Sequence, residues 1–141
     1  MTQPRAPSKP LPVPTPETKP FWDACKRHEL MLPRCKDCGR FHFYPRAVCP
    51  NCWSTNLEWV KASGRGKLYS YVINHRPAPG FESQAPYVIA IVELDEGVRM
   101  MSNLTGVDPD PAKVTVDMPL EVTFEDASPE ISLPQFRPAR G

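Results

Sequence analysis

Apolar positions along this chain fall into short groups, and their spacing changes part-way along. Phe21, Trp22 and Cys25 share one face of a short helix, with charged residues between them. Thr15-Pro16-Glu17-Thr18 precedes that face; either threonine can cap the helix, and proline is tolerated in a first turn. Leu30, Met31 and Leu32 read as a strand, and Arg40 to Arg46 as an aromatic, basic middle segment. Leu57–Val60 leaves that region. Beyond it come β-rich runs at Lys67–Ile73, Tyr87–Leu94, Val98–Leu104, Val114–Val116 and Leu120–Phe124. Gly64-Arg65-Gly66 marks a turn or bulge, Asp95-Glu96-Gly97 a hairpin turn, and Gln135–Arg137 one further crossing. Short antiparallel strands with no second strong helix signal predict a small closed barrel of the oligonucleotide-and-ligand-binding (OB) type.

Between the helix and the barrel lie two C-x-x-C knuckles, Cys35-Lys-Asp-Cys38 and Cys49-Pro-Asn-Cys52, ten residues apart. Each is a tight turn that aims two thiolates at one point. Placed on the arms of a short hairpin, Cys35, Cys38, Cys49 and Cys52 supply the soft ligands of a tetrahedral Zn²⁺ site. Gly39 and Pro50 suit the turns, and Trp53 suits a cap over the metal. Zinc is favoured over iron because the hairpin lacks the larger surround of an electron-transfer rubredoxin. A closed thiolate site leaves the metal no open position, so its expected role is structural. The fold class is therefore mainly β: a short N-terminal helix, a rubredoxin-like zinc ribbon and a five-stranded OB barrel. The expected divisions are a proline-rich tail over 1–14, helix and ribbon over 15–60, and the barrel over 61–141.

Composition adds three constraints. The chain's 141 residues, 40% of them hydrophobic, suit one ordinary domain or a small one with a metal-held module. Of 19 prolines, seven lie in the first twenty residues, so 1–14 should be extended and poorly ordered. Met1 to Pro20 has no apolar core of a secretory signal and no run is long enough to cross a bilayer. A cytoplasmic chain is expected, in which thiols stay reduced and paired knuckles hold metal rather than disulfides. The net charge of +1 hides an asymmetry, +8 over residues 1–76 and −7 over 77–141. A basic front half suits a phosphorylated partner, either nucleic acid or a nucleotide-containing cofactor; it is equally the pattern of a solvated face.

Few residues point to catalysis. His28, His42 and His75 sit in no nucleophile or metalloprotease motif, and Gly64-x-Gly66 leads into a strand rather than the helix of a dinucleotide site. Cys25 reads as a small buried hydrophobe, and His42, between Phe41 and Phe43, as a packing or ribbon-surface residue. Arg40, Phe41, Phe43, Tyr44 and Arg46 interleave cations with rings. Such a set grips phosphates and stacks on a base, in a single strand or in the adenine end of coenzyme A. The same rings would also cover the metal and dock the ribbon on the barrel. Arg76 to Pro86 is a long connection stiffened by three prolines, a common setting for function.

The order of these motifs is distinctive. Pro20-Phe21-Trp22, Leu32 to Cys35-x-x-Cys38-Gly39, Phe43-Tyr44-Pro45-Arg46, Cys49-Pro50-x-Cys52, Trp59, Ser63-Gly64-Arg65-Gly66-Lys67-Leu68-Tyr69-Ser70 and Pro86-Tyr87 follow one another. From residue 16 to about 137 the chain closely resembles the acyl-CoA-associated zinc-ribbon/OB-fold family, long catalogued as a domain of unknown function. The resemblance implies a non-catalytic subunit that sits against a thiolase-superfamily enzyme, or against a hydratase of the hot-dog fold. There it supports the complex and the acyl-CoA site; two copies with a thiolase-like dimer are expected. The residues themselves agree with that reading: coenzyme A carries phosphates, so the basic and aromatic set Arg40, Phe43, Arg46, Arg65 and Lys67 suits contact with it, and the proline-stiffened loop carrying Arg76, Phe81 and Tyr87 suits a partner- or acyl-facing element. One departure is Asp117, where relatives commonly carry Gly. The rival reading is a binder of single-stranded nucleic acid, which the −7 charge of the barrel half disfavours. A steep salt dependence of oligonucleotide affinity would support that rival; acyl-CoA binding without oligonucleotide affinity would remove it.

Overall fold

The computed structural model describes residues 11–76 and 86–139. Helix α1, Lys19–Lys26, is amphipathic and buries Phe21, Trp22, Ala24 and Cys25. Thr18 is its N-cap residue, but the Thr18 hydroxyl faces backwards and accepts the Thr15 N–H at 2.8 Å. The two threonines thus close their own turn ahead of the helix. The helix ends at Arg27, and His28 turns the chain with a φ of +59°. Its imidazole then pins the helix end to the barrel: Nε2 lies 2.8 Å from Asp126 Oδ1, and the ring stacks on Phe124 at 5.2 Å.

Strand β1, Met31–Cys35, pairs antiparallel with β2, Leu57–Lys61, in the register Met31↔Lys61 to Cys35↔Leu57. The segment expected only to leave the ribbon therefore forms half of its sheet. Both knuckles lie at one end of this pair. The chain between them contributes a single bridge, Phe41 to Arg34, rather than hairpin arms.

The barrel comprises β3 (Arg65–Asn74), β4 (Tyr87–Leu94), β5 (Arg99–Leu104), β6 (Pro119–Asp126) and β7 (Ser132–Pro138), closed in the order β3-β4-β5-β7-β6. Five strands close it, although not quite the expected five. Val114–Val116 is no strand. Asp110 takes the N–H of Lys113 and Val114 on its carbonyl and that of Ala112 on its side chain, so the backbone there turns. Val114 is left as a buried plug. The fifth strand is β7, far longer than a single crossing. The β3 irregularity falls between Leu68 and Ser70, because Gly64 makes its turn before the strand begins and Gly66 already lies within it.

Alternation along β4 sends Val88, Ala90, Val92 and Leu94 inward, where they meet Leu68, Met100, Leu104, Leu120 and Phe136. This cluster runs on without a break into Phe21, Trp22, Cys25, Leu30 and Leu32, so helix, ribbon base and barrel share one core. Each large side chain buried there contributes about 1.5–3 kcal/mol relative to exposure. The junction is held by one backbone and one side-chain bond: Ala62 N–H donates to Leu30 O at 2.8 Å, and Ser63 N–H to the Glu96 carboxylate at 2.9 Å. Among the described residues no helix is long and apolar enough to cross a membrane.

At Gly66 an added Cβ would stand 2.4 Å from the Glu93 carbonyl oxygen, a backbone atom that cannot swing away. Gly66→Ala is expected to cost about 2–4 kcal/mol in denaturant unfolding of the zinc-saturated chain, by strain in a closed sheet. Gly97→Ala meets no atom within 4 Å and bears only the strain of its φ of +94°, about 1–2 kcal/mol. Equal losses at the two positions would contradict the packing at β3–β4.

Candidate metal centre and flanking surface

Cys35 ends β1, and its carbonyl accepts the Gly39 N–H at 2.8 Å, which closes the first knuckle. Cys49 O accepts the Trp53 N–H at 2.9 Å and closes the second. Gly39 and Trp53 take positive φ, +77° and +67°, at matching positions. These turns bring four sulfurs within 4.8 Å of one another, with Cys35–Cys52 at 3.5 Å and Cys38–Cys49 at 3.7 Å. Four ligands at about 2.3 Å from a tetrahedral zinc stand about 3.8 Å apart, so the cage has the size the ion requires.

The surroundings suit thiolates. Cys38 N–H points at Cys35 Sγ and Asn51 N–H at Cys49 Sγ, each at 3.4 Å. The Arg40 backbone N–H draws the Cys38 thiol down to about 6, towards the charged form that binds metal. At Cys52 the Ser54 backbone N–H is outweighed by the neighbouring Cys35 sulfur and by burial, which push that thiol up to about 12. Two further ties join the knuckles: Arg40 donates to Asn51 Oδ1 at 2.9 Å, and Ser54 and Asn56 both donate to Asp37, whose carboxyl they hold below its usual range. The expected indole cap is not formed. Trp53 is 80% exposed, because its left-handed backbone turns the side chain outward. The residues present would hold a zinc ion that supplies rigidity and no reactive position.

Cys25 stands apart from the cage, fully buried, and burial pushes its thiol up to about 12. His42 is buried too, and among the described residues neither ring nitrogen has a partner at full hydrogen-bond geometry. Burial, then the Arg46 charge, hold its imidazole below the ordinary value. Its share of stability is therefore complete above that value and is lost as pH falls through it.

The residues expected to meet coenzyme A fall in several places. Arg40 is engaged at the knuckles, while Phe43 packs on Phe21 at 5.5 Å between ring centres. Arg46 lines a separate cleft with Pro20 and Trp59. Arg65 and Lys67 are exposed on β3 opposite Glu121 and Pro119, and Lys67 Nζ lies 3.9 Å from Asp117. Asp117 itself takes a φ of +69°, the conformation for which glycine is favoured. Of the loop residues, Phe81 lies outside the described residues. Arg76 and Tyr87 both meet Asn74, through the Arg76 N–H and the Tyr87 hydroxyl, so Asn74 clasps the loop's two ends.

A surface absent from the sequence reading appears on the outer face of β3–β4–β5. Ile89 and Ile91 point outward from β4, where Ile89 pairs with Val72 and Ile91 with Met101. Val72 is 58% and Met101 66% exposed. The signal was present in Tyr87–Val92, which has no polar alternation at all, the mark of a strand covered on both faces.

Residues 22–58 match the family model described as the rubredoxin-like zinc ribbon domain of ChsH2, and residues 59–125 that of its C-terminal OB-fold domain. A solved structure described as an Ltp2-ChsH2(DUF35) aldolase includes a chain that superposes with a TM-score of 0.80 at 37% identity, covering 92% of this chain and 100% of that one. The chain belongs to the ChsH2/DUF35 family. Among curated relatives, a probable enoyl-CoA hydratase alpha subunit of Thermomonospora curvata is 43% identical over 84% of this chain and 37% of its own length. The DUF35 chain thus spans little more than a third of that relative. A benzoylsuccinyl-CoA thiolase subunit, BbsA, of Thauera aromatica is 36% identical over 64% of this chain and 59% of that one.

Chelating zinc is expected to expose the amides of residues 31–61 to hydrogen exchange while β4 and β6 keep their protection, since the barrel core contains no metal ligand. Unchanged protection in both regions after complete zinc removal would contradict a structural metal.

Proposed function

We propose that this chain is a non-catalytic, zinc-stabilised subunit of an acyl-CoA enzyme of the thiolase or aldolase type. The observation that carries this reading is an apolar outer face on which Val72 and Met101 are exposed and Ile89 and Ile91, between them, are half-buried. A strand apolar on both faces loses free energy wherever its outer face stays wet, and a protein partner would cover it. Arg99 stacks over Tyr69 at 3.7 Å beside that face and supplies a cation–aromatic anchor of the kind enriched in interfaces. The aldolase and thiolase relatives support this partner class. The hydratase relative supports a second, an enoyl-CoA hydratase, which would use the same face.

Within such a complex the basic residues Arg40, Arg46, Arg65 and Lys67, with Phe43, contribute to the coenzyme A site, and Arg76, Phe81 and Tyr87 face the partner or acyl chain. Two copies assemble with a partner dimer. Coenzyme A carries a diphosphate and a 3′-phosphate, so charge reversal at Arg40 and Arg46 should weaken acyl-CoA binding by the complex; unchanged affinity would assign the chain to assembly alone.

Co-expression with a thiolase-type partner enzyme is expected to give one size-exclusion peak at micromolar concentration. Val72→Asp and Met101→Asp should each split it while leaving the barrel's thermal transition within a few degrees of the parent, because both side chains are exposed. Two separate peaks for the unmodified pair would refute the proposal.

A further inference from the structure

Strand β5 pairs with β4 along its whole length, but with β7 at one position, Leu104↔Phe136. Thr105 N–H donates to Phe136 O at 2.7 Å, so every second residue of β5 aims its backbone groups at β7. Continuing that parallel ladder would need the Pro134 nitrogen to donate to the Met101 carbonyl. Proline has no N–H to give, and the Ser102 hydroxyl takes the Pro134 carbonyl at 2.8 Å. The strands part at this point. Among the described residues, the backbone groups of Arg99 and Met101 on that side have no partner.

The gap opens into a groove of about 560 Å³ against α1. Every residue from Arg99 to Asn103 lines it, although successive side chains of a strand point to opposite faces. What those residues share is the edge of the strand, so the groove presents β5 backbone. Phe21, Phe43, Tyr44 and Leu133 line it as well. An open backbone edge thus lies beside apolar, mostly aromatic walls.

That combination identifies the occupant's chemistry. An open edge bonds a second extended backbone, and pockets beside it take the side chains that recur at every second residue of that backbone. The edge is set between β7 and α1, so a free-standing extended segment reaches it more readily than a strand already built into a barrel wall. Residues 11–14 of this chain are described and Pro12 lines the groove, yet none of them bonds to β5. Met101 belongs both to the groove and to the apolar outer face of β3–β4–β5, and Arg99 beside it stacks on Tyr69. A partner that covers the face therefore arrives at the edge.

We propose that the enzyme partner docks by strand addition: an extended segment of it, apolar at alternate positions, pairs with the Arg99–Met101 edge of β5 inside this groove. This mode of docking rests on the partner reading above and specifies how the partner is held.

The test is residue-resolved hydrogen exchange on the zinc-loaded full-length chain, alone and assembled with the co-expressed thiolase-type partner. The amides of Arg99 and Met101 are expected to slow about a hundredfold on assembly. Met100, whose amide faces Val92 of β4, should keep its rate. Met101→Pro removes the edge donor, a change that an open strand edge tolerates. It should weaken assembly about tenfold more than Met101→Ala, which keeps the donor. A single complex peak in which Arg99 and Met101 exchange as they do in the free chain overturns strand addition and leaves the partner reading standing. Two separate peaks for the unmodified pair overturn both. Slow exchange already present in the dilute free chain assigns the edge to a segment of this chain, and exchange that slows as the free chain is concentrated assigns it to a second copy. Either result overturns the proposal.

Discussion

Four sulfurs converging on one point are the constraint on which the basic half of this molecule depends. Between Cys35 and Leu57 the chain makes one β-bridge and buries few large apolar side chains of its own. Its remaining order comes from the backbone bonds that close the knuckles and from short polar ties, Arg40 to Asn51 and Asp37 to Ser54 and Asn56, that are exposed to water and weak alone. A tetrahedral metal makes those ties simultaneous. By fixing the knuckles it also fixes the segment between them, and so sets Phe43 and Tyr44 against Phe21 on the helix. The ion shapes a surface without taking part in chemistry.

The barrel depends on a different principle. Its strands bury a continuous core that extends into helix and ribbon base, so the ribbon is attached through packing as well as through the chain. That attachment leaves the outer face of β3–β4–β5 partly bare, and an apolar face with Val72 and Met101 exposed around half-buried Ile89 and Ile91 is unusual for a chain that works alone. Rigid ribbon, closed barrel and uncovered apolar sheet together fit a subunit whose contribution is position rather than reaction.

Much of this was legible in the residues. The knuckle spacing specified the metal cage because two short turns can converge in few ways. Asp95-Glu96-Gly97 gave its hairpin because Gly97 supplies the positive φ, and Tyr87–Leu94 its strand because nothing polar interrupts it. The errors share a cause. Val114–Val116 has β-branched residues but sits after Asp110 and Pro111, whose turn captures the backbone before it can pair. Trp53 looked like a metal cap from composition, yet its backbone conformation decides where the indole goes. The scatter of Arg40, Arg46, Arg65 and Lys67 could not be read from charge alone, because proximity in sequence says little about which edge of a ribbon or barrel a cation occupies.

The central claim, that this chain completes an acyl-CoA enzyme without supplying its reacting groups, is tested most directly by titrating the zinc-loaded chain into its separately purified thiolase-type partner and following acyl-CoA turnover. Turnover should be low for the partner alone, absent for this chain alone, and rise to a plateau at one chain per partner subunit. A partner fully active by itself, or thioester chemistry catalysed by this chain in isolation, would contradict the account.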